Sequence, residues 1–384
     1  MNMRRIRKMA ALIYFYVYNR LISVFCAMDE NTVVFLTDAR DRIDGNLKAI
    51  YDFMEKSNCD YKKIVFTRGD KRKAMSFRQF KTICRVMTCS KYILLDDFYG
   101  LTSAMRLRKN QKLIQLWHGS GAYKKFGFSR LSSDLSGSRV HGGYRKYTGV
   151  TVSSEGVREC FAEAFDIPLD RVEALGSPRT DVLFDIDYSV KAKSKLIEKY
   201  PKLEGKKIIL FAPTYRGGRV EQADYDFDKL SPKELMNEIS GSIILVRWHP
   251  ALLANIKNGT RHFDLPEGMI DVSEYEDINE LIASADVLIT DYSSIIFDWF
   301  ITKKPIVFYL YDMGEYEGAR GLYFELEEYI YGTLAVNFNE LVDAIKTPEF
   351  CSEKRDEFNR RFMMACDGRS CEKVCKWIFE EELR

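Results

Sequence analysis

Short apolar runs alternate with longer amphipathic ones along this chain, and the alternation occurs twice. NTVVFLTD (31–38), KKIVFTR (62–68), KYILLDD (91–97), KLIQLWH (112–118) and YTGVTVSS (147–154) are too brief for helices and rich in aliphatic residues, so they read as buried strands. Helices fit over 46–56, 75–89 and 154–165, and RVEALGSPRTD (171–181) adds a last strand and turn. Such alternation forces a largely parallel sheet with helices on its faces. After a charged helix at Lys191–Lys202, read as a linker, the pattern restarts with strands in 206–216, 241–250, 268–273, 285–294 and 304–312. Helices fit at 231–239, 276–284, 294–301 and 339–346, and 352–381 reads as helical with a break at Asp367–Gly368. A chain of 384 residues supports two cores. The expected division is a basic, aromatic segment at 1–28, α/β domains at 29–190 and 191–350 facing a cleft, and closing helices at 351–384.

In a parallel sheet every strand's C-terminal end lies on the same edge, so the polar tips can line one crevice. LIQLWHGSGAYKK ends its apolar run in His118, with Gly119 and Gly121 permitting a turn. PTYRGGR (213–219), RWHP (247–250) and TDYSS (290–294) end strands of the second half. Ser293 and Ser294 stand before a helical run, where they either hold an anionic phosphate or simply cap the helix. Asp298, one turn later, reads as fixing a neighbour. Arg247 can fork onto phosphate oxygens and His249 can donate to one; Trp248, of opposite parity, reads as core. Arg216 and Arg219 lie in a loop that is either a phosphate cradle or a flexible connection. There is no GxGxxG after the first strand, no GxxxxGK[ST] and no HExxH, and HGSG is not a GxSxG elbow. The nine cysteines have no disulfide spacing and read as reduced thiols.

The net charge of +2 argues against a general nucleic-acid binder, but the charge is uneven. Arg4, Arg5, Arg7, Lys8 and Arg20 flank aromatic and aliphatic residues before the first acid, Asp29, and basic runs recur at 71–85 and 106–112. Asn19 and Arg20 interrupt the apolar stretch, which disfavours a spanning helix. Contact with an anionic membrane surface is expected; the plainer reading is a helix packed on its own domain.

Taken together, WHGSGAYKKFG, GSPRTD, LFAPTYR, RWHP, DVSEYEDINELIASADVLITDYSSIIFDW, KPIVFYLYD and RGLYFE resemble the CDP-glycerol glycerophosphotransferase family of teichoic acid and capsule synthesis, over roughly residues 110–380. The resemblance implies a GT-B type α/β fold, with two facing Rossmann-like domains and C-terminal helices crossing back to the first. It implies transfer of glycerol phosphate or ribitol phosphate from CDP-glycerol or CDP-ribitol to a hydroxyl of an undecaprenyl-type lipid-linked acceptor, with release of CMP. The setting would be the cytoplasmic face of a bacterial cell membrane, with the protein peripheral to it. His118 and His249 match the catalytic positions. Arg247, Thr290, Ser293 and Ser294 match the donor-phosphate segments, and Arg216 is added to them for its charge. Gly119, Arg179, Asp181, Asp291 and Asp298 match supporting positions. Ser177 replaces the usual asparagine of the GSPRTD segment, and Ser120 and Gly121 replace the usual threonine and proline after WHG. No tightly bound cofactor and no protein metal site are expected, although a divalent cation such as Mg²⁺ could assist the donor diphosphate. No nucleic-acid partner is expected, and the oligomeric state, including a homo-oligomer, stays open. The alternative is a GT-B glycosyltransferase with a nucleotide-sugar donor.

Overall fold

The computed structural model describes residues 3–57, 59–68, 76–130, 141–217, 220–313 and 321–379. Residues 71–75 of the basic run at 71–85, Arg219, Arg320 of RGLYFE, and 380–384 lie outside the described residues. The chain divides into two compact units, Met1–Asp181 with Arg361–Arg384, and Val182–Arg360.

The first unit is built on a parallel sheet of β1 (Asp29–Leu36), β2 (Lys62–Phe66), β3 (Ser90–Leu95), β4 (Lys112–Gln115), β5 (Gly149–Val152) and β6 (Val172–Ala174), in the order β2-β1-β3-β4-β5-β6. The order reverses between β1 and β3, so their C-terminal tips open a crevice, and β4 lies beside β3. Helix α1 (Met3–Phe25) packs against the helix Phe77–Cys89 of the same unit: Tyr14 meets Phe77 and Phe80, and Asn19 Nδ2 donates to Thr88 Oγ1 at 3.2 Å. Helix α2 (Gly45–Lys56) starts at Asp44, whose carboxylate accepts the Gly45 N–H.

The second unit carries β7 (Lys207–Phe211), β8 (Ser242–Val246), β9 (Met269–Asp271), β10 (Val287–Thr290), β11 (Ile306–Tyr309) and β12 (Thr333–Ala335). Their order, β12-β11-β10-β7-β8-β9, is that of a doubly wound dinucleotide-type sheet, with its switch point between β7 and β10. The strands are buried because helices cover both faces, which is why they read as continuous apolar runs.

The changeover between units falls at Asp181/Val182 rather than near 190. The helix Ile186–Lys199, read from its charge as a linker, instead packs on the helix Ile278–Ser284 through Tyr188–Asp277 and Lys195–Glu280. The closing segment also splits. Helix Ser352–Phe358 stays in the second unit, where Phe358 stacks on Phe297 and Arg355 donates to the Phe300 carbonyl. Helix Ser370–Phe379 belongs to the first unit, and its Val374, Cys375 and Ile378 join the core of Val33, Phe35, Leu47 and Ile50. All nine cysteines are free thiols.

Asp181 anchors this returning helix. Its two carboxylate oxygens accept the first N–H groups, from Ser370 at 2.9 Å and Cys371 at 2.7 Å. The approach is close enough that a Cβ on Gly176, at φ +94°, would stand 2.2 Å from Ser370 Oγ. Asp181→Ala should therefore destabilise the chain by about 1–3 kcal/mol, and Asp181→Asn by less. Urea unfolding measures this; a midpoint unchanged in Asp181→Ala would mean the cap carries no weight.

Candidate active site

In the first unit, the end of β4 bends sharply. Trp117 adopts a left-handed backbone, φ +58°, which costs a non-glycine residue about 1–2 kcal/mol. Three side-chain hydrogen bonds hold it there. Gln115 Oε1 accepts the Trp117 N–H at 2.8 Å, and Asn46 Nδ2 donates to the Leu116 and Trp117 carbonyls at 2.8 and 3.0 Å. The other end of each amide is also used. Asn46 Oδ1 accepts from Ser177 Oγ and the Arg179 N–H, while Gln115 Nε2 reaches Tyr147 Oη and the Asp97 carbonyl. The Trp117 ring packs against Phe126 and Phe165. Asn46 and Gln115, both buried, were not singled out in the sequence; the one available signal was a glutamine inside an otherwise apolar strand.

The bend presents His118 to solvent at the strand tip. Its Nδ1 lies 3.1 Å from the Asp96 carbonyl oxygen. A carbonyl only accepts, so Nδ1 carries the proton and Nε2 keeps its lone pair. The protein around the ring disfavours its charged form and lowers its pKa; Asp97 and the Asp96 carbonyl oppose this, and Arg179 and Arg40 reinforce it. Arg179 Nη1 donates to the His118 carbonyl at 2.7 Å, so Arg179 holds the turn as well as adding charge. Ser120 and Ser177, two of the three departures from the family pattern, meet each other at 2.9 Å. Gly119 has open space where a side chain would stand. Beneath the turn, burial raises the Asp96 carboxyl to about 6, with Thr37 and the Arg40 charge pulling partly back.

In the second unit, the tips of β7 and β10 meet at the switch point. Asp291 is buried and accepts from the Thr214 N–H at 2.7 Å, Thr214 Oγ1 at 2.9 Å and Arg216 Nη1 at 2.9 Å. Arg216 also forks onto Asp312, at 2.5 and 3.0 Å. Burial works against its charge, yet the two carboxylates more than offset this and hold it protonated. Arg216 is thus the centre of an ion network that shapes the loop. Thr290 is fully buried and donates its hydroxyl to the Ala212 carbonyl at 2.7 Å, between strands. Ser293 lies next, its Oγ accepting the Ile295 N–H at 3.4 Å, and Ser294 is exposed. Asp298 is buried in the helix Ile295–Ile301.

At the tip of β8, Arg247 Nη1 ties down the carbonyls of Val272 and Tyr275, at 3.2 and 2.8 Å. Trp248 points into the core. His249 is exposed, its ring against Tyr215, and it caps the helix Pro250–Lys257. Its Nδ1 accepts the Ala251 N–H at 3.1 Å. An accepting Nδ1 leaves the proton on Nε2, the opposite tautomer to His118. The sequence-predicted residues thus form two clusters: His118, Gly119 and Arg179 in the first unit, and Arg216, Asp291, Thr290, Ser293, Ser294, Arg247 and His249 at three strand tips of the second. Asp181 stands apart as the cap of the returning helix.

Residues 17–380 match the profile of a family described as CDP-Glycerol:Poly(glycerophosphate) glycerophosphotransferase. The chain is 35% identical over 380 residues to the teichoic acid poly(ribitol-phosphate) polymerase of Bacillus spizizenii, covering 98% of this chain and 60% of that protein. It therefore spans about three fifths of that relative's length. It is 31% identical over 358 residues to the teichoic acid glycerol-phosphate primase of Bacillus subtilis, covering 87% of this chain and 89% of that one. The solved structure of the wall teichoic acid polymerase TagF matches it with a TM-score of 0.77 at 23% identity, covering 100% of both chains. Two parallel-sheet units with the chain end returning to the first are those of the GT-B type fold.

The Asp96 carboxyl gives a test of this geometry by pH. Its folded-state value of about 6 exceeds the ordinary 3.8, so the folded chain binds the proton more tightly than the unfolded one. Stability from this group is present below pH ~4 and is lost as pH rises through ~6. Asp96→Asn should therefore stabilise the chain at pH 8, by on the order of 2–3 kcal/mol, and make little difference at pH 4. Denaturant unfolding at both pH values checks this, and an equal effect at each would contradict it.

Proposed function

Because the chain belongs to the CDP-glycerol:poly(glycerophosphate) glycerophosphotransferase family, we propose that it transfers glycerol phosphate or ribitol phosphate from a CDP-linked donor to a hydroxyl of a teichoic acid acceptor, releasing CMP. The observation that carries this reading is the complementary protonation of the two strand-tip histidines, with Nε2 of His118 a lone pair and Nε2 of His249 an N–H. An acceptor hydroxyl is a weak nucleophile at neutral pH and needs a base. Nε2 of His118 takes its proton as the oxygen forms a bond to the phosphorus bearing the polyol. The bond from that phosphorus to the bridging oxygen breaks, and its electron pair leaves with CMP. Nε2–H of His249 donates to the phosphate oxygens where this charge grows. The exposed Ser294 hydroxyl and the Ser293 hydroxyl stand at the tip of β10, with β7 between it and β8, and suit the donor diphosphate. Arg247 shapes the loop after β9 and adds positive charge there.

A lipid-linked acceptor would bring the protein to a membrane surface, and α1 supports that setting. Its buried face carries Phe15 and Asn19, while Ile6, Met9, Ile13, Tyr16, Val17, Leu21 and Val24 form an exposed apolar stripe at helical spacing. Arg7 and Lys8 are exposed at its start. Among the described residues no helix is long and apolar enough to cross a membrane, so the stripe suits a helix lying on the surface. Ile13→Glu with Val17→Glu should abolish co-flotation of the full chain with lipid vesicles; unchanged flotation would remove this part of the reading.

Purified protein offered CDP-glycerol or CDP-ribitol with defined lipid-linked acceptors should release CMP and extend the acceptor by polyol-phosphate mass. His118→Ala and His249→Ala are each expected to lower kcat by about 10²–10⁴-fold. Either variant keeping activity within about tenfold of wild type would overturn the assignment. Because surrounding protein lowers the His118 pKa, the free base persists further into acid. The kcat/KM profile should stay flat down to about 6.5, the ordinary imidazole value, and fall only below it. An acid limb centred above pH 7 would exclude His118 as the base.

A further inference from the structure

On the opposite edge of the first sheet from His118 lies a concavity of about 470 Å³ bounded by Arg106, Leu107, Arg145, Lys146, Thr148 and Arg171. Arg106 stands on the loop before β4, Lys146 and Thr148 just before β5, and Arg171 just before β6, so the topology gathers them at the strands' N-terminal ends. A four-residue strand such as β4 spans about 13 Å, which keeps this concavity distinct from the His118 turn. Among the described residues no carboxylate lines it. Arg145 is answered by Asp166 at 2.5 Å, but among the described residues no carboxylate pairs with Arg106, Lys146 or Arg171. Arg171 Nη1 donates to the Tyr147 carbonyl at 3.3 Å, which leaves its charge unneutralised, and three cations around one hollow make it attractive to an anion.

The hollow is also tied to α1. The Arg106 N–H donates to Asn19 Oδ1 at 2.8 Å, and Arg20 Nη1 reaches the Ala104 carbonyl at 3.4 Å. Asn19 is on the buried face of α1, and the exposed Val24 and Phe25 follow within two turns. The basic hollow and the apolar stripe are therefore fixed to each other within one unit. An apolar stripe and cations without carboxylate partners, carried by one unit, fit an acyl boundary and its phosphate headgroups, and a soluble phosphate would make no use of the stripe.

We propose that the hollow of Arg106, Lys146, Thr148 and Arg171 binds the phosphate of an anionic phospholipid headgroup and sets the orientation in which α1 lies on the bilayer. The proposal rests on the reading that this face of the protein meets a membrane.

The test is flotation of the full chain with three kinds of vesicle: phosphatidylcholine alone, phosphatidylcholine with phosphatidylglycerol, and phosphatidylcholine with oleate at matched surface charge. Wild type should prefer phosphatidylglycerol over oleate. The triple variant Arg106→Gln, Lys146→Gln, Arg171→Gln should lose about a hundredfold in affinity for phosphatidylglycerol vesicles, roughly fivefold per cation, and little on phosphatidylcholine alone. The stripe variant Ile13→Glu with Val17→Glu should lose binding to all three. Unfolding midpoints matching wild type separate these effects from misfolding. Wild type floating with no vesicle would fail the membrane reading itself. If wild type floats, the hollow is overturned by a triple variant that binds phosphatidylglycerol vesicles normally, or that weakens equally on phosphatidylglycerol and oleate, since that is charge attraction alone. A soluble arm with glycerol 3-phosphate completes it: stabilisation of wild type but not of the triple variant, with vesicle binding equal in both, would make the hollow a site for free phosphate and overturn the lipid assignment.

Discussion

One buried side-chain amide ties the first unit together. Asn46 donates to the two carbonyls at the end of β4 and accepts from Ser177 and from the Arg179 backbone. Through the first pair it holds the left-handed Trp117 and so aims His118. Through the second it fixes the GSPRTD turn, whose Asp181 caps the returning helix Ser370–Phe379. All four hydrogen-bonding capacities of the amide are filled, which is what makes a buried asparagine tolerable. The candidate base and the closure of the chain thus share one anchor, although they lie far apart in sequence.

The second unit solves a different problem. Its switch point is polar, yet it lies at the edge of a dry core. The Asp291–Arg216–Asp312 network meets this by neutralising the arginine within the protein. Such pairs add little net stability over an apolar core, but losing one partner leaves a buried charge. Their benefit here is geometric, since Asp291 also receives the Thr214 backbone and hydroxyl and so joins the β7 and β10 tips. Ser294 and His249 stay exposed and Ser293 half-buried at the tips beside it.

Two histidines at strand tips have been made chemically different by one neighbour each. A carbonyl beside Nδ1 makes His118 an acceptor at Nε2; a helix N–H beside Nδ1 makes His249 a donor there. The side chains are the same, and the distinction belongs to the backbone they face. Helix α1 shows the same economy at larger scale, one face settled on the helix Phe77–Cys89 and the other left apolar and open.

The alternation of apolar strand runs with amphipathic helices, the parallel sheets it demands, the polar strand tips and both histidines were all legible in the sequence, because periodicity and strand parity are local properties of consecutive residues. The place of the helix at 186–199 was not: its charge suggested a linker, and only its contacts with the helix Ile278–Ser284 put it in the second unit. Thr290 and Arg216 were recognised as polar residues at tips, but which way their polar atoms turn depends on Ala212 and Asp312, 78 and 96 residues away. Asn46 and Gln115 were missed for the same reason, since nothing adjacent to them announces a bend at Trp117. Sequence alone determined where chemistry could lie; tertiary structure decided which polar atoms face solvent and which are consumed inside, because a hydrogen bond is satisfied by whatever the fold brings within about 3 Å, not by what precedes it in the chain.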